Sequence, residues 1–583
     1  MENRHHSTLV AAIIPLIYLS GNWTSPVLGD ATLIKSAAAE VYTSFVLLLF
    51  FFSQKSAGKY ELTRNPTVFI AIIFFLYLSL SVLWAENKGF FVDAWLKWFS
   101  ASLTFAFAIS IAKTPKNIPA IIQTMVVSAV LVASIGLAQQ YFDWNYLPQS
   151  AEPGSTFSNR NLAGHVIVIC LPLTFFGFLR EESSIREKAA SLCAAAMLIA
   201  YAYHTHSDAV WLSITLEITF IGCYLAYLFL KKYKATQRLS IISTAILVIS
   251  GVAFFLPINN LGSGVDIFYN KVQANFNDIA GSPYGFGSRL DLWSTSWSIF
   301  KDYPIFGVGL GNFYEVWSNG YVQHYNLLGT QRVHNDPLEI AIDLGFVGLV
   351  LFALLLVLVG RSGFRLLNHN DRQLRLISAL ILCSLAGSGL NSLTSFPLQL
   401  IAPLVSLALL SGLIVGADNF SSISLKLRHV RRLPMKLAGL SASAAVLAIC
   451  LYLNFYWIRD IDNLSRQYNR GTQFTPWKAS STLTNPNTIN LIRMAVAGNM
   501  KYDAYRQANS FVSTLLDIWP NEPFNLLLAT ETNLGLNRLS LAKVFAIKLK
   551  NEQPEYSLSA EHYLLNIYSR ENNLSELNKI YLK

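Results

Sequence analysis

Apolar stretches recur along this chain from near Thr8 to Trp457, each cut off by a short polar and usually charged connection. Crossing about 30 Å of hydrocarbon takes a helix of roughly 17–25 mostly apolar residues. The pattern places spans near 8–20, 36–53, 66–84, 94–112, 118–141, 162–179, 189–205, 209–230, 239–257, 338–360, 376–394, 400–416 and 437–457. The predicted fold class is all-α: a polytopic transmembrane helix bundle of about thirteen spans over 1–457, broken by a long polar loop at 257–337 and followed by a polar helical domain at 458–583. The first run begins almost at Met1 and shows no small-residue cleavage site, so it reads as a retained span rather than a removed signal.

Composition supports the same reading. The chain is 53% hydrophobic and 13% charged with a mean hydropathy of +0.40, against roughly 25% charged in soluble domains. A net charge of +10 suggests an acidic partner until its distribution is read. Lys55, Lys59 and Arg64, then Lys113 and Lys116, then Arg180, Arg186 and Lys188 occupy alternate connections. Lys231, Lys232, Lys234 and Arg238, then Arg361, Arg365, Arg372 and Arg375, then Lys426, Arg428, Arg431, Arg432 and Lys436 continue the series. The intervening loops are poor in lysine and arginine, which marks the basic set as cytoplasmic and explains the charge without a nucleic-acid partner. The N-terminus then lies inside, with 142–161, 206–208, 257–337 and everything after Trp457 outside. Cys170, Cys193, Cys223, Cys383 and Cys450 all fall in apolar runs without CxxC spacing, as small hydrophobes rather than a disulfide or zinc framework.

After Trp457 the chain turns polar. Pro486, Pro520 and Pro554 are spaced 34 residues apart, as are Ala508 and Ala542, which is the period of a helix-turn-helix tetratricopeptide unit. Much of that consensus is missing, so the tail reads as TPR-like, with a groove suited to a protein partner or acceptor.

Three segments carry candidate chemistry: GSTFSNRNLAGHVIVICLPL at 154–173, GSRLDLWSTSWSIFKDYPIFGVGLGNF followed by HNDPLEIAIDLGFVG within 285–348, and NSLTSFPLQLIAP at 391–403. Together they resemble the bacterial O-antigen ligase and polymerase superfamily, which includes Wzy-type polysaccharide polymerases and protein O-oligosaccharyltransferases. The resemblance covers roughly 81–416. It implies a GT-C-like enzyme of the bacterial inner (cytoplasmic) membrane, with its C-terminal domain periplasmic. Such an enzyme takes a glycan from undecaprenyl diphosphate on the periplasmic face and passes it, with inversion and without metal or other cofactor, to an acceptor hydroxyl. The implied partners are the undecaprenyl-diphosphate-linked glycan donor, a glycan, lipid A core or protein acceptor, and membrane lipids.

The residue types suit that reaction. Charge that builds on a diphosphate leaving group can be met by a guanidinium with two parallel hydrogen bonds, and Arg289 is the candidate. An attacking hydroxyl needs a proton acceptor poised near neutrality, and His334 matches. Arg289 could otherwise be an interfacial lipid contact, and His334 a helix cap. Members of the superfamily often carry a second arginine in an S-R pair, but Asp208 in HSDAVWL stands at that place and cannot bind diphosphate. Arg332 or Arg160 is therefore expected to complete the anion site, with Asn159, Asn161 and Asn335 as further substrate-binding candidates.

Other signals are weaker. His204 and His206 are two apart and do not share a helical face, and Asp460 and Asp462 read as a solvated junction. Glu217 and Lys97 lie within predicted spans, where charge is costly and often functional. The aromatics Phe286, Trp293, Trp297, Tyr303, Phe306, Phe313, Tyr314 and Trp317 suit sugar stacking and interface anchoring equally. A protein O-oligosaccharyltransferase is the alternative inside the superfamily. A polysaccharide or lipid transporter or flippase is the alternative outside it, yet the membrane part lacks the internal repeat expected of one. A non-catalytic scaffold would leave Arg289 and His334 unexplained.

Overall fold

The computed structural model describes residues 2–21, 32–53, 61–144, 146–230, 286–320, 332–418, 423–426, 432–469, 486–552 and 557–581. In chain order these form α1 (Glu2–Leu19), α2 (Thr32–Ser53), β1 (Glu61–Arg64), α3 (Pro66–Leu80), α4 (Lys88–Ala112), α5 (Ile118–Phe142), α6 (Arg160–Leu179), α7 (Ile185–Thr205) and α8 (Asp208–Leu230). Next come α9 (Phe286–Asp302), α10 (Phe313–Gly320), α11 (Asp336–Leu366), α12 (Arg372–Ser392), α13 (Ile401–Ala417), β2 (Ile423–Lys426) and α14 (Arg432–Asn469). The tail adds α15 (Pro486–Lys501), α16 (Tyr505–Ile518), α17 (Pro523–Gly535), α18 (Leu539–Glu552), α19 (Ser557–Arg570) and α20 (Leu574–Tyr581).

The protein is thus a polytopic helical bundle, with one short antiparallel ribbon that the sequence did not announce, Glu61 pairing with Lys426. Eight helices among the described residues are long and apolar enough to cross a membrane, and the N-terminal apolar part of α1 and α13 are shorter apolar helices. The expected spans at 189–205 and 209–230 are helices outside that count, and the one at 239–257 lies outside the described residues. The predicted total of about thirteen is therefore not reached among the described residues.

Helix starts follow their caps. Asn65 accepts from the Thr67 amide, Asn87 from Gly89 and Phe90, and Asp371 from Gln373, while Ser184 and Glu187 form a reciprocal capping box. In the bundle centre α13 lies directly on α4, because Gly412 and Gly416 present no Cβ. One added at either position would sit 2.5 Å from the Phe105 or Ile109 carbonyl oxygen.

Loops of like charge gather at one end. Arg372 pairs with Glu181, Arg365 meets Asp418 at 3.2 Å, and the β1–β2 ribbon joins two more basic connections. The opposite end gathers the segments around His334, described below.

The apolar run at 338–360 is not one straight helix. Gly345, at φ +66°, interrupts α11 and divides it into a short piece, 336–344, and a long one. The segment 304–313 enters the gap. Val308 and Gly309 donate to the Ile342 and Asp343 carbonyls (2.9 and 2.8 Å), and Phe346 and Val347 donate to the Pro304 and Ile305 carbonyls (2.8 and 3.3 Å). The Asp343 carboxylate accepts the Gly311 and Phe313 amides, and Tyr77 donates to the Leu344 carbonyl. A break in a long apolar helix survives only where protein satisfies the freed backbone groups, as these bonds do.

The tail is three sequential helix pairs. Ala508 on α16 and Ala542 on α18 hold equivalent places and are fully buried. A buried aromatic cluster joins α15–α17 to α4 and α10.

Candidate active site

His334 and Arg289 come from separate elements, the turn before α11 and the first turn of α9, and lie within electrostatic reach of each other. Their charges interact: burial, with the Arg289 guanidinium adding to it, pushes the His334 imidazole down to about 4. Burial also lowers Arg289, opposed by the carboxylate of Asp208 at the start of α8. The guanidinium still carries its charge at any physiological pH. Asp208, the acid standing where an arginine was expected, is thus a neighbour of Arg289.

The loop bearing His334 is held from three sides. The Trp293 indole of α9 donates to the Val333 carbonyl at 3.0 Å, and the Val333 amide donates to Glu339 Oε2 at 3.0 Å. The Asn335 amide group donates to the Leu393 carbonyl at the end of α12, and the Leu398 amide donates to Asp336 Oδ2. His334 itself has φ +56°, a left-handed conformation uncommon for a side-chain-bearing residue, which these bonds maintain. The Phe396 ring stands edge-on to the His334 imidazole with 4.8 Å between centroids.

Arg332 is committed to the loop's own structure. Its Nη1 donates to Glu339 Oε1 at 3.0 Å and to Gln399 at 3.4 Å, and the Glu339 side chain is fully buried. The nearby carboxylates raise Arg332 further against the opposing effect of burial. Removing one partner of a buried pair leaves the other uncompensated, typically at about 3–5 kcal/mol. Arg332→Gln is accordingly expected to lose folded protein in a detergent thermal-shift assay, with Arg332→Lys intermediate.

Arg160, half-buried at the start of α6, donates to the Glu152 carbonyl at 2.8 Å. Arg160→Gln is expected to leave stability unchanged in the same assay. Asn159 and Asn335 are helix caps, accepting from the Asn161 and Leu338 amides at 2.9 and 3.0 Å. Asn161 is exposed beside Arg160.

The site contains residues that sequence reasoning did not single out. His165, 2% exposed in the apolar body of α6, has its Nδ1 3.1 Å from the Asn391 amide nitrogen and its Nε2 3.3 Å from the Ser395 hydroxyl. It lies within electrostatic reach of His334, with Phe396 between them. Glu339, Gln399, Asn391, Ser395 and Phe396 complete the group. The signal for most of them was present, since His165 and Asn391 to Gln399 lie in the first and third motif segments.

Lys97 is paired with Asp93 at 2.6 Å, and Glu217 is buried against Gly387, its carboxylate oxygens without a hydrogen-bond partner among the described residues. Asp460 is 5% exposed, which corrects its reading as solvated: it lies on the buried side of α14. Phe313, Tyr314 and Trp317 are buried, while Trp297, Tyr303 and Phe306 remain exposed. Cys170, Cys383 and Cys450 are buried, and Cys193 and Cys223 are exposed on the bundle.

An apolar cavity of about 1260 Å³ runs beneath the site. It reaches from Pro337, Ser392 and Leu398 beside the His334 loop to Leu367 and Arg375 at the far end of α11 and the start of α12. Exposed Ile72, Leu76, Phe220, Leu356 and Phe364 are among its lining residues.

Residues 193–353 match the family model described as O-antigen ligase, Wzy_C, a stretch that includes Asp208, Arg289 and His334. None of the curated proteins compared with the chain matches it. The match spans 161 of the 583 residues, across elements that build this site, and supports a likeness to the O-antigen ligase and polymerase superfamily of membrane glycosyltransferases.

Proposed function

We propose that the protein transfers or polymerises a glycan from undecaprenyl diphosphate onto an acceptor hydroxyl at the periplasmic face of the bacterial inner membrane. The observation that carries this reading is that Arg289 and His334 lie within electrostatic reach of each other, close in sequence or space to Pro337, Ser392 and Leu398 on the wall of an apolar cavity. The cavity would take the polyprenyl chain from the bilayer and leave the diphosphate at headgroup height. Arg289 would hold the diphosphate oxygens. His334 would accept the proton of the acceptor hydroxyl as its oxygen attacks the anomeric carbon from the face opposite the leaving group. The carbon–oxygen bond to the diphosphate breaks, the configuration inverts, and polyprenyl diphosphate departs. The charge on the leaving group is met by a fixed guanidinium in a site largely shielded from water, where it is worth most. No step needs a metal ion. Of the two further arginines, the exposed end of Arg160 suits the anion better, because Arg332 is already engaged by Glu339.

The charge pattern of the loops supports the orientation, with the basic end cytoplasmic. The tail reads as a TPR-like periplasmic domain, supported by the equivalent burial of Ala508 and Ala542.

The pH dependence tests this reading. With His334 at about 4, the ring is neutral and able to accept a proton throughout the neutral range. Activity governed by kcat/KM should therefore fall on the acid side near pH 4, not near the ordinary 6.5. A bound diphosphate adds negative charge, which favours the imidazolium, so the acid limb of kcat should lie higher. Removing the cation with Arg289→Gln should move the kcat/KM limb upward. A wild-type kcat/KM limb at or above the ordinary histidine value would remove this role for His334.

A further inference from the structure

The C-terminal helices are built into the end of the bundle that carries His334. Trp519, in the turn between α16 and α17, is 2% exposed. Its ring meets Phe90 of α4 edge-on at 4.9 Å and Tyr314 of α10 at 5.2 Å. Its Nε1–H has no hydrogen-bond partner among the described residues, so ring contacts hold it. Arg493 of α15 stands over the same ring at 5.5 Å and over Phe524 at 5.3 Å. Its guanidinium is fixed by Glu522 at 2.7 Å and Asn525 at 3.2 Å and lies within electrostatic reach of the Tyr314 hydroxyl. Glu522 in turn caps α17 through the Asn525 amide.

On the bundle side, α10 is tied to the reaction centre. The Phe313 amide at its start donates to Asp343, Asn312 accepts from the Asn87 amide, and Asn87 donates to Glu315. Asp343 belongs to the short piece of α11 that also carries Glu339, the carboxylate holding Arg332 and Val333 immediately before His334. That piece is only about two turns long and cut off by Gly345, too short to keep its orientation unaided.

We propose that the C-terminal domain braces the reaction centre, with Trp519 and Arg493 as positioning residues that act on His334 through Tyr314 and Asp343. Transfer then requires the tail through Trp519 and Arg493, neither of which is asked to touch the reacting atoms. This rests on the role given to His334 above. Aromatic contacts hold one another in fixed geometry beyond what burial alone supplies, and a small displacement of a reacting group lowers turnover steeply.

The test uses the full-length protein in nanodiscs, with lipid-linked donor extracted from producing cells. Trp519→Ala should lower kcat by about tenfold to a hundredfold, with KM and binding of bare undecaprenyl diphosphate unchanged, and Trp519→Phe should recover most of the rate. The double variant Trp519→Ala/Tyr314→Ala should be no slower than the slower single variant, because both break one contact. Should Trp519→Ala fail to accumulate, Trp519→Leu, which keeps much of the buried volume but loses the ring contacts, is measured instead and should show the same kcat-selective loss. Wild-type turnover in these variants, or losses that multiply in the double variant, would overturn the brace. Failure of the underlying reading appears separately, as transfer that survives His334→Ala.

Discussion

Replacing His334 by alanine is expected to lower turnover by about 10²–10⁴-fold, the contribution of a positioned general base, with the protein still present in the membrane. The loop is held by the Val333 backbone and by Glu339, Trp293 and Asn335, none of which needs the imidazole. Alanine at φ +56° carries some strain. His334→Asn, better tolerated in the left-handed region, separates lost chemistry from lost geometry and should be equally inactive. The glycan profile of cells carrying these variants also sorts the acceptor class. Single repeats left on lipid A core indicate a polymerase, accumulated long lipid-linked chains a ligase, and an altered pilin or secreted-protein mass an O-glycosylase.

The second large effect is expected at Gly345. A Cβ there would lie 2.1 Å from the Ile305 carbonyl oxygen, backbone that cannot step aside, on a residue held at φ +66°. Gly345→Val costs about 1–3 kcal/mol in backbone strain. It also displaces the segment 304–309, whose backbone hydrogen bonds contribute about 1 kcal/mol each. Transfer should be lost, and limited proteolysis from the His334 end should newly cut between α9 and α10 while the long helices stay protected. Proteolysis and transfer unchanged from wild type would mean that the broken helix and its inserted segment do not position the site.

Much of this was legible in the chain because hydrophobic length and loop charge are local properties. Helices α2 to α6, α11 and α12 begin and end within six residues of the expected spans, with Asn65, Asn87 and Asp371 marking starts, while α14 runs on to Asn469, twelve residues past the expected end at 457. Arg289 and His334 were legible because the loop motifs surrounding them have a recognisable pattern.

What escaped is physically different in kind. His165 sits among valines and isoleucines, where one polar residue looks like a core exception until Asn391 and Ser395 arrive from another helix. The break at Gly345 left no mark, since an apolar run reads the same whether its backbone is continuous or interrupted, and membrane helices tolerate glycine. Arg332 looked like a free cation because its partner lies seven residues on, and only the turn between them brings Glu339 back to it. The contact of Trp519 with Phe90 joins residues more than four hundred positions apart, beyond any local pattern.

The most direct measurement is single-turnover glycan transfer by purified wild type, Arg289→Gln, His334→Ala and the double variant, at matched membrane level and saturating lipid-linked donor. Groups acting on one bond as a unit are strongly non-additive. The account predicts that each single variant is severely impaired and that the double variant is little worse than either. Transfer at the wild-type rate by His334→Ala or by Arg289→Gln would contradict it.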